Sequence, residues 1–237
     1  MHKIVIVTIS YVFDDALVRT LESIDEQSYR EFSNVVVVSK CAEPETKDYH
    51  AAYRKFVLNE DSSIYNAMNI GLQSAEGDYV LFLNAGDTFH DDNSLSLALD
   101  ELNDTKCYAF RTNQIWNDAV YVRPPDGKLD QLKKSPAHQG FFVPLCTKTP
   151  FFDEKHLIDA DSRWMQQCIA LFDMQVCDKF LSNFYLGGVS NYPTLNTVVL
   201  RYRSQGLIRA LKEIVKFLIR KLMGDRLYYR MTLLYLK

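Results

Sequence analysis

The segment at residues 79–89, YVLFLNAGDTF, indicates the class of the fold. Its first five residues are mostly apolar and rich in β-formers, and the run is too short for an ordinary helix. It therefore predicts a strand buried on both faces. Asp87 follows the end of this strand, which is where an open α/β sheet keeps its ligand site. An acid there is either solvated in a turn or paired with a cation.

The composition sets the size and class of the protein. The chain has 237 residues, of which 47% are hydrophobic and 24% charged, as expected for one α/β domain or one domain plus an appendage. No apolar run reaches membrane-crossing length, and MHKIVIVTIS predicts a cytosolic N-terminus that is also the first core strand. The five cysteines are scattered without a C-x-x-C pair, which predicts structural thiols rather than a disulfide framework or a zinc site.

The charge of the chain is distributed unevenly. From Arg201 onward there are ten lysines and arginines against only Glu213 and Asp225, although the whole chain carries a net charge of −3. The first two hundred residues are therefore strongly acidic. This contrast predicts two parts, a domain over residues 1–200 and a basic tail over residues 201–237 that faces an anionic surface.

Strand and helix patterns alternate along the domain. Strands are predicted in KIVIVTIS and SNVVVVSK, around residues 56–58, and near CYAFRTNQIW and AVYVRP. Helices are predicted in ALVRTLESIDEQ, capped by Asp14 or Asp15, in SSIYNAMNIGLQSAEGD, in NSLSLALDELN and in SRWMQQCIALFD. A βαβ opening of this kind predicts an α/β fold with a mostly parallel sheet flanked by helices.

Four blocks of the sequence, in this order, resemble family 2 glycosyltransferases of the GT-A fold. They are NEDSSIYNAMNIGLQSAEGDYVLFLNAGDTF, AHQGFFVP, DADSRW and FYLGGVSN, and the resemblance covers roughly residues 3 to 192. Within that family the chain is similar to bacterial transferases that build colanic acid, O-antigen and capsule repeat units. The resemblance implies a GT-A-type, Rossmann-like sheet and the transfer of a sugar from a nucleotide diphosphate.

The resemblance assigns the donor side of the site. Asp87 matches the metal-binding acid of the family's D-x-D motif, and Gly86 stands where many relatives have the first acid. One carboxylate plus substrate phosphates suits Mn²⁺ or Mg²⁺. Asp61 matches an acid that helps to hold the nucleoside, and Asn69 lies near the donor sugar. As an alternative, Asp61 or Ser62 caps the helix that follows.

Further residues are assigned to substrate binding by the same resemblance. They include Thr8 in the first strand and Asn84 beside the metal acid. His138 and Gln139 match a pair beside the donor or acceptor site, where the histidine ligates the metal or binds a phosphate, or is an ordinary surface residue. Gly187 and Gly188 suit a mobile loop that closes over the donor, or a tight turn between two strands.

The catalytic base is assigned to Asp161. Inverting sugar transfer needs a carboxylate that takes the proton from the acceptor hydroxyl as its oxygen attacks the anomeric carbon. Asp161 matches the family's base position, and Asp159, two residues earlier, is the competing candidate. Either acid could instead simply cap the helix that follows.

One departure from the family concerns the nucleotide. Ser39 stands where relatives commonly have an acid that contacts the base, so this contact is altered or supplied by another group. A UDP-sugar is the donor expected from the resemblance. Gly86 and Ser39 also leave open a second hypothesis, a non-catalytic nucleotide-sugar-binding or scaffold protein of the same fold.

The basic tail predicts a partner. In LIRALKEIVKFLIRKLMG apolar residues recur at helical spacing while lysines and arginines populate the other faces, which is typical of an amphipathic helix on an anionic membrane surface. Packing on the domain and a dimer contact are the alternatives. The resemblance implies an undecaprenyl-diphosphate-linked acceptor, hence a cytoplasmic protein peripheral to the inner face of the bacterial inner membrane. No nucleic-acid partner is expected.

Overall fold

Strands and helices alternate through the first half of the chain, as the sequence predicts. The computed structural model describes residues 2–39, 49–60, 63–103, 105–117, 119–134, 136–156, 158–186 and 193–235. The strands are β1 (Ile4–Ser10), β2 (Phe32–Ser39), β3 (Arg54–Asn59), β4 (Tyr79–Phe82), β5 (Thr88–Phe89), β6 (Cys107–Trp116), β7 (Ala119–Arg123), β8 (Phe141–Pro144) and β9 (Met174–Tyr185). The helices are α1 (Asp15–Asp25), α2 (Ile64–Ser74), α3 (Ser94–Leu99), α4 (Gln131–Lys134), α5 (Ala160–Phe172), α6 (Leu195–Gln205) and α7 (Leu207–Tyr235).

These strands form one sheet in the order β3-β2-β1-β4-β8-β6-β9-β5, with β7 paired to β6. The first four strands are mutually parallel. The second half is mixed, because β8 runs antiparallel to both β4 and β6 whereas β6 and β9 are parallel. The α/β sheet flanked by helices is therefore confirmed, and the antiparallel β8 forms a seam between its two halves.

The core lies on both faces of the first four strands. Alternate residues of β1 point to opposite faces: Val5 and Val7 belong to the cluster that includes residues of α2 and α5, whereas Ile4 and Ile6 belong to the one that includes residues of α3. All four side chains are fully buried. Burying an aliphatic side chain of this size contributes roughly 1.5–3 kcal/mol, so this double burial explains the continuous apolar runs.

Local caps fix where the helices of the first half begin. Asp14 caps α1, since its side chain accepts a hydrogen bond from the backbone N–H of Leu17 at 3.1 Å. Ser63 caps α2 and accepts from the backbone N–H of Asn66 at 3.4 Å. The cap is therefore Ser63 and not one of the predicted candidates, Asp61 and Ser62, which lie outside the described residues.

The predicted boundary at residue 200 falls inside α6, which begins before it. The reason is a capping box, in which Thr194 and Thr197 satisfy each other's backbone N–H groups and start the helix at Leu195. Gly206, with φ of 81°, separates α6 from α7, and Gly224 breaks α7 with φ of 76°. Within the described ranges, no helix has the length and apolar character needed to cross a bilayer.

Candidate active site

A cavity of about 260 Å³ opens at the carboxyl ends of the parallel strands. Residues from the ends of β1, β2 and β3 line it, together with the first turns of α1 and α2 and the segment after β4. Its position is the one predicted from the strand at residues 79–83, because neighbouring parallel strands end at the same edge of a sheet. The lining residues are Ile9, Ser10, Tyr11, Asp14, Ala16, Ser39, Asn59, Ser63, Ile64, Ala67, Asn84 and Ala85.

The turn that carries Asp87 is fastened to α1. The backbone N–H of Asp87 donates to the carbonyl of Asn84 at 2.9 Å, which closes the turn, and Gly86 has φ of 99°, a conformation that favours glycine. Thr20, fully buried on α1, accepts from the N–H of Gly86 at 2.9 Å and donates to the carbonyl of Asp87 at 2.7 Å. Gly86 therefore serves the backbone geometry at the position where relatives have an acid.

Asp87 is a buried carboxyl group. It is 5% exposed, and this burial raises its pKa from 3.8 to about 7, even though His138, Gln139, the backbone of Tyr185 and Arg19 favour the charged form. A carboxylate that loses its hydration in this way gains most from a cation placed beside it. A cation bound beside Asp87 would therefore take the place of the proton that burial favours on its carboxyl group.

His138 connects the two sides of the site. It begins a short 3-10 turn, His138–Gly140, and its Nε2 lies 3.2 Å from Nδ2 of Asn84. Its Nδ1 lies 3.4 Å from Oδ2 of Asp161. Gly140 lets this turn approach the sheet, because a Cβ there would come within 2.8 Å of the carbonyl oxygen of Phe110.

Asp161 lies in the first turn of α5 with its carboxylate facing His138. Burial acts to raise the pKa of Asp161, but the hydrogen bond and charge of His138 and the backbone N–H groups of Ser162 and Asp161 outweigh it, so the pKa is lowered overall. Asp161 is therefore ionised at neutral pH and able to accept a proton.

The residues around Asp87 fit a divalent cation held mainly by its substrate. Oδ1 of Asn84 is buried and has no hydrogen-bond partner in the part of the chain that the structure describes. It adds a free oxygen ligand beside the carboxylate. No group of three or more His, Cys, Asp or Glu residues that could hold a metal occurs among the described residues. A hard cation here would take Asp87, Asn84 and phosphate oxygens, in keeping with Mg²⁺ or Mn²⁺ chemistry.

Two of the residues assigned to substrate binding lie away from the cavity. Thr8 is fully buried in β1, where its hydroxyl accepts from Nδ2 of Asn34 at 3.3 Å. Asn69 is also buried, and its amide bonds to the backbone N–H of Phe152 at 2.8 Å and to Glu154 at 2.8 Å. Both side chains are engaged in holding the protein's own segments together, and neither faces the cavity.

The remaining predicted residues divide into two groups. One group is brought together by the contacts described above. It consists of Asn84, Asp87, His138, Gln139 and Asp161. The predicted nucleoside acid and the predicted glycine pair lie outside the described residues and stay predictions, namely Asp61, Gly187 and Gly188.

Sequence reasoning missed the contribution of Arg19 and Tyr185. The guanidinium of Arg19 lies 4.5 Å from the centre of the Tyr185 ring and donates to the carbonyl of Gly86 at 3.3 Å. It also helps to keep Asp87 ionised. An arginine in the middle of α1 gives no local signal of this role, because the aromatic ring that it contacts comes from β9, at the far end of the domain.

Ser39, at the position where the resemblance expects an acid, uses its hydroxyl for a contact within the protein. Its hydroxyl donates to the backbone carbonyl of Tyr11 at 2.6 Å, which ties the end of β2 to the segment after β1. Asn59 pairs with Ser39 in register at the end of β3, and both line the cavity. The ends of β2 and β3 therefore line this cavity with neutral polar groups.

The fold and this site together define an α/β protein with a cavity at the carboxyl ends of its parallel strands, where His138 links Asn84, in the turn that carries Asp87, to Asp161. The family model for glycosyl transferase family 2 matches residues 4–134, and the chain belongs to this family.

Two curated proteins are similar to part of the chain. Over 91 residues it is 32% identical to the amylovoran biosynthesis glycosyltransferase AmsB of Erwinia amylovora, covering 35% of this chain and 30% of that protein. Over 94 residues it is 31% identical to the teichoic acid poly(glycerol phosphate) polymerase of Staphylococcus epidermidis, covering 37% of this chain and 13% of that protein. The matched region thus spans less than a third of either relative.

Solved structures share the fold over nearly the whole chain. The S. aureus protein TarS, residues 1–349 in complex with UDP-GlcNAc, superposes with a TM-score of 0.65 at 15% identity, covering 94% of this chain and 74% of that one. The mannosyltransferase PcManGT from Pyrobaculum calidifontis, in complex with GDP-Man and Mn²⁺, gives a TM-score of 0.59 at 15% identity, covering 91% and 64%. The expected GT-A-type architecture is confirmed by these likenesses.

Proposed function

We propose that this protein is an inverting, metal-dependent glycosyltransferase that moves a sugar from a nucleotide-diphosphate sugar to a hydroxyl group. The observation that carries the proposal is the position of His138, which joins Asn84 on the donor side to Asp161 on α5 at the edge of the cavity. Family membership supports the same reaction class.

The donor is proposed to lie in the cavity with its diphosphate near Asp87. Asp87 and Asn84 would hold Mn²⁺ or Mg²⁺, which would neutralise the charge that develops on the leaving diphosphate. A UDP-sugar is favoured by the original resemblance, and the TarS complex with UDP-GlcNAc supports a uridine donor by analogy of fold. The neutral lining by Ser39 and Asn59 would then contact the base.

Asp161 is proposed as the base for the acceptor hydroxyl. As the hydroxyl oxygen bonds to the anomeric carbon, the bond to the diphosphate breaks on the opposite face and the hydroxyl proton passes to the Asp161 carboxylate. His138 would orient this carboxylate, since its Nδ1 faces Oδ2 of Asp161.

The acceptor is proposed to be an undecaprenyl-diphosphate-linked saccharide in bacterial surface polysaccharide synthesis, such as O-antigen, capsule or exopolysaccharide. The likeness to a biosynthesis glycosyltransferase for amylovoran supports a polysaccharide product. Such an acceptor places the protein at the cytoplasmic face of the inner membrane. Exposed apolar residues on α7 support this location, since Leu211, Val215 and Leu218 are each at least half exposed beside the tail's basic residues.

The alternative is a binding or scaffold protein of the same fold that does not transfer sugar. Gly86 and Ser39 favour it, because each replaces a family acid with a residue that serves the backbone. It would bind a nucleotide sugar without releasing the nucleotide.

The test is nucleotide release from UDP-GlcNAc, UDP-glucose, UDP-galactose and GDP-mannose by purified protein with Mn²⁺, paired with calorimetry on the same donors. We expect release from one of the UDP-sugars, its loss on chelation, and its loss in Asp161→Asn with donor binding retained. Binding without release in the native protein would support the scaffold alternative. Failure to bind any nucleotide sugar would overturn both.

A further inference from the structure

We propose that Gln205, the last residue of α6, is a positioning residue that fixes the base Asp161 by holding Asp159. The inference rests on the proposed function for the role of Asp161. It gives the tail a task in the reaction that is separate from any contact with a membrane.

The contact itself joins the tail to the start of α5. Nε2 of Gln205 donates to Oδ2 of Asp159 at 2.5 Å, between residues 46 positions apart. The other carboxylate oxygen, Oδ1, is buried and has no hydrogen-bond partner within the described ranges. A partly buried carboxylate with one oxygen unsatisfied depends strongly on the donor that it does have.

Asp159 sets the beginning of the helix that carries Asp161. Its carbonyl accepts the first hydrogen bond of α5, from the backbone N–H of Arg163 at 3.2 Å. Its φ of 73° is uncommon for a residue other than glycine, and its side chain makes no capping bond to the helix. Backbone conformations of this kind persist only where the surroundings hold them, and Gln205 supplies such a restraint from outside the loop.

The helix that carries Gln205 is tied to α7, and α7 in turn contacts the sheet. Thr197 on α6 donates to the buried Glu213 of α7 at 3.3 Å. Further along α7, Tyr229 stacks on Trp116 at the end of β6 with ring centres 3.8 Å apart. The tail therefore touches the domain at two separate places, and one of these is the residue that starts the base helix.

The experiment compares Gln205→Ala with a matched control, Arg203→Ala, whose side chain is exposed on the same helix. The readout is UDP release from the UDP-sugar that the native protein hydrolyses. We expect Gln205→Ala to lower kcat by roughly ten- to a hundredfold, the loss typical of a misplaced catalytic group, with the KM for the donor unchanged. The control should keep both constants.

An exchange of the two side chains separates positioning from a direct role of Asp159. In the double variant Asp159→Asn with Gln205→Glu, the amide introduced at position 159 can donate to the carboxylate introduced at position 205, so the contact returns with its polarity reversed. Asparagine also tolerates the left-handed conformation, so the backbone is not disturbed. We expect Gln205→Glu alone to be impaired, because two carboxylates then face each other, and Asp159→Asn alone to keep the contact through its amide oxygen. The exchange should restore at least a third of native kcat.

A second readout is independent of activity. Hydrogen exchange of the Arg163 amide reports on the first turn of α5, and it should accelerate in Gln205→Ala and recover in the exchanged pair. Native exchange and native kcat in Gln205→Ala would overturn the inference. An inactive exchanged pair with restored protection would also overturn it, because Asp159 would then be needed as a carboxylate. An inactive native protein would count against the proposed function alone, and hydrogen exchange would still decide the positioning role.

Discussion

At the scale of single residues, the site depends on two acids with opposite environments. Asp87 is buried, and its pKa is raised to about 7, whereas the pKa of Asp161 is lowered because His138 and backbone N–H groups outweigh its burial. Pairs of acids whose environments separate their pKa values commonly divide two chemical tasks. Here Asp161 is already ionised at neutral pH, whereas burial keeps Asp87 partly protonated unless a cation offsets it.

The first residue-scale prediction concerns stability. Because the pKa of Asp87 is higher in the folded state than its ordinary value of 3.8, its contribution is favourable below pH 4 and is lost as pH rises through about 7. The ionised, buried carboxylate lowers the free energy of unfolding by about 4 kcal/mol at high pH. Asp87→Asn, which keeps the shape, should therefore raise the free energy of unfolding at pH 8 without metal and change it little at pH 4. Urea unfolding in chelator at both pH values measures this, and equal effects at both would contradict it.

The second prediction concerns the pair His138 and Asp161. Removing the imidazole leaves burial to raise the pKa of Asp161, so the fall in kcat on acidification should begin at a higher pH in His138→Ala. A pH–rate profile of His138→Ala measures the shift in the pH dependence of kcat.

Asp161→Asn should lower transfer by roughly two to four orders of magnitude while donor binding survives. Native turnover in Asp161→Asn would exclude Asp161 as the base.

At the scale of elements, the short turn His138–Gly140 holds the imidazole between Asn84, in the turn that carries Asp87, and Asp161. It precedes β8, the antiparallel strand at the seam of the sheet, and it rests against the backbone of β6. Only a residue without a side chain fits there, since Phe110 and Thr112 approach the position of a Cβ to 2.8 Å.

The prediction at this scale is that Gly140→Ala displaces the turn. We expect a melting temperature lower by several degrees, since overpacking typically costs about 1–3 kcal/mol, together with a loss of kcat. Gly127→Ala is the control for a loss of stability alone: no atom lies within 4 Å of the added Cβ, but a φ of 73° strains an alanine, so the melting temperature should fall while kcat stays unchanged. Scanning calorimetry and UDP release measure both, and native kcat in Gly140→Ala would contradict the role of this turn.

Elements with a strong local pattern could be predicted from sequence, and contacts between distant elements could not. The buried strand at residue 79 and the helix capped by Asp14 follow from hydrophobic pattern and capping chemistry. The meeting of Asn84, His138 and Asp161 was expected only through the family resemblance. The resemblance assigns Asn69 to the donor sugar, and its amide also bonds to the backbone of Phe152, 83 positions later, a contact for which the helix itself gives no signal.

At the scale of the whole molecule, the tail has one side on the domain and another in solvent. Ala210, Glu213 and Tyr229 are buried, so deletion of the tail would uncover Trp116 and remove the contact to Asp159. Truncation therefore cannot separate membrane attachment from packing. Substitution of exposed charges can separate them.

The whole-molecule prediction replaces the exposed Arg209, Lys212 and Lys221 together by glutamine. Each such charge contributes about 1 kcal/mol of attraction to an anionic bilayer, so binding to phosphatidylserine vesicles should weaken by more than roughly a hundredfold. The melting temperature should stay unchanged, and high salt should weaken the native protein similarly.

The matched control for this prediction removes three exposed lysines from the domain, and they are Lys55, Lys134 and Lys148. It should keep vesicle binding close to the native level despite the same change in net charge. Equal sedimentation of the tail variant and the native protein would mean that the basic residues serve another purpose.

The seam at β8 has a consequence for how genes of this kind could recombine. Every residue that lines the cavity, and Asp87 itself, precedes residue 90, whereas His138, Asp161 and Gln205 follow it. The two halves meet through the backbone pairing of β4 with β8 and of β5 with β9, and through a few side-chain contacts such as Asn69 with Phe152 and Arg19 with Tyr185. Under the proposed function, a crossover between α3 and β6 would combine one parent's donor side with the other parent's acceptor side, and it would need these contacting side chains to match between the two parents.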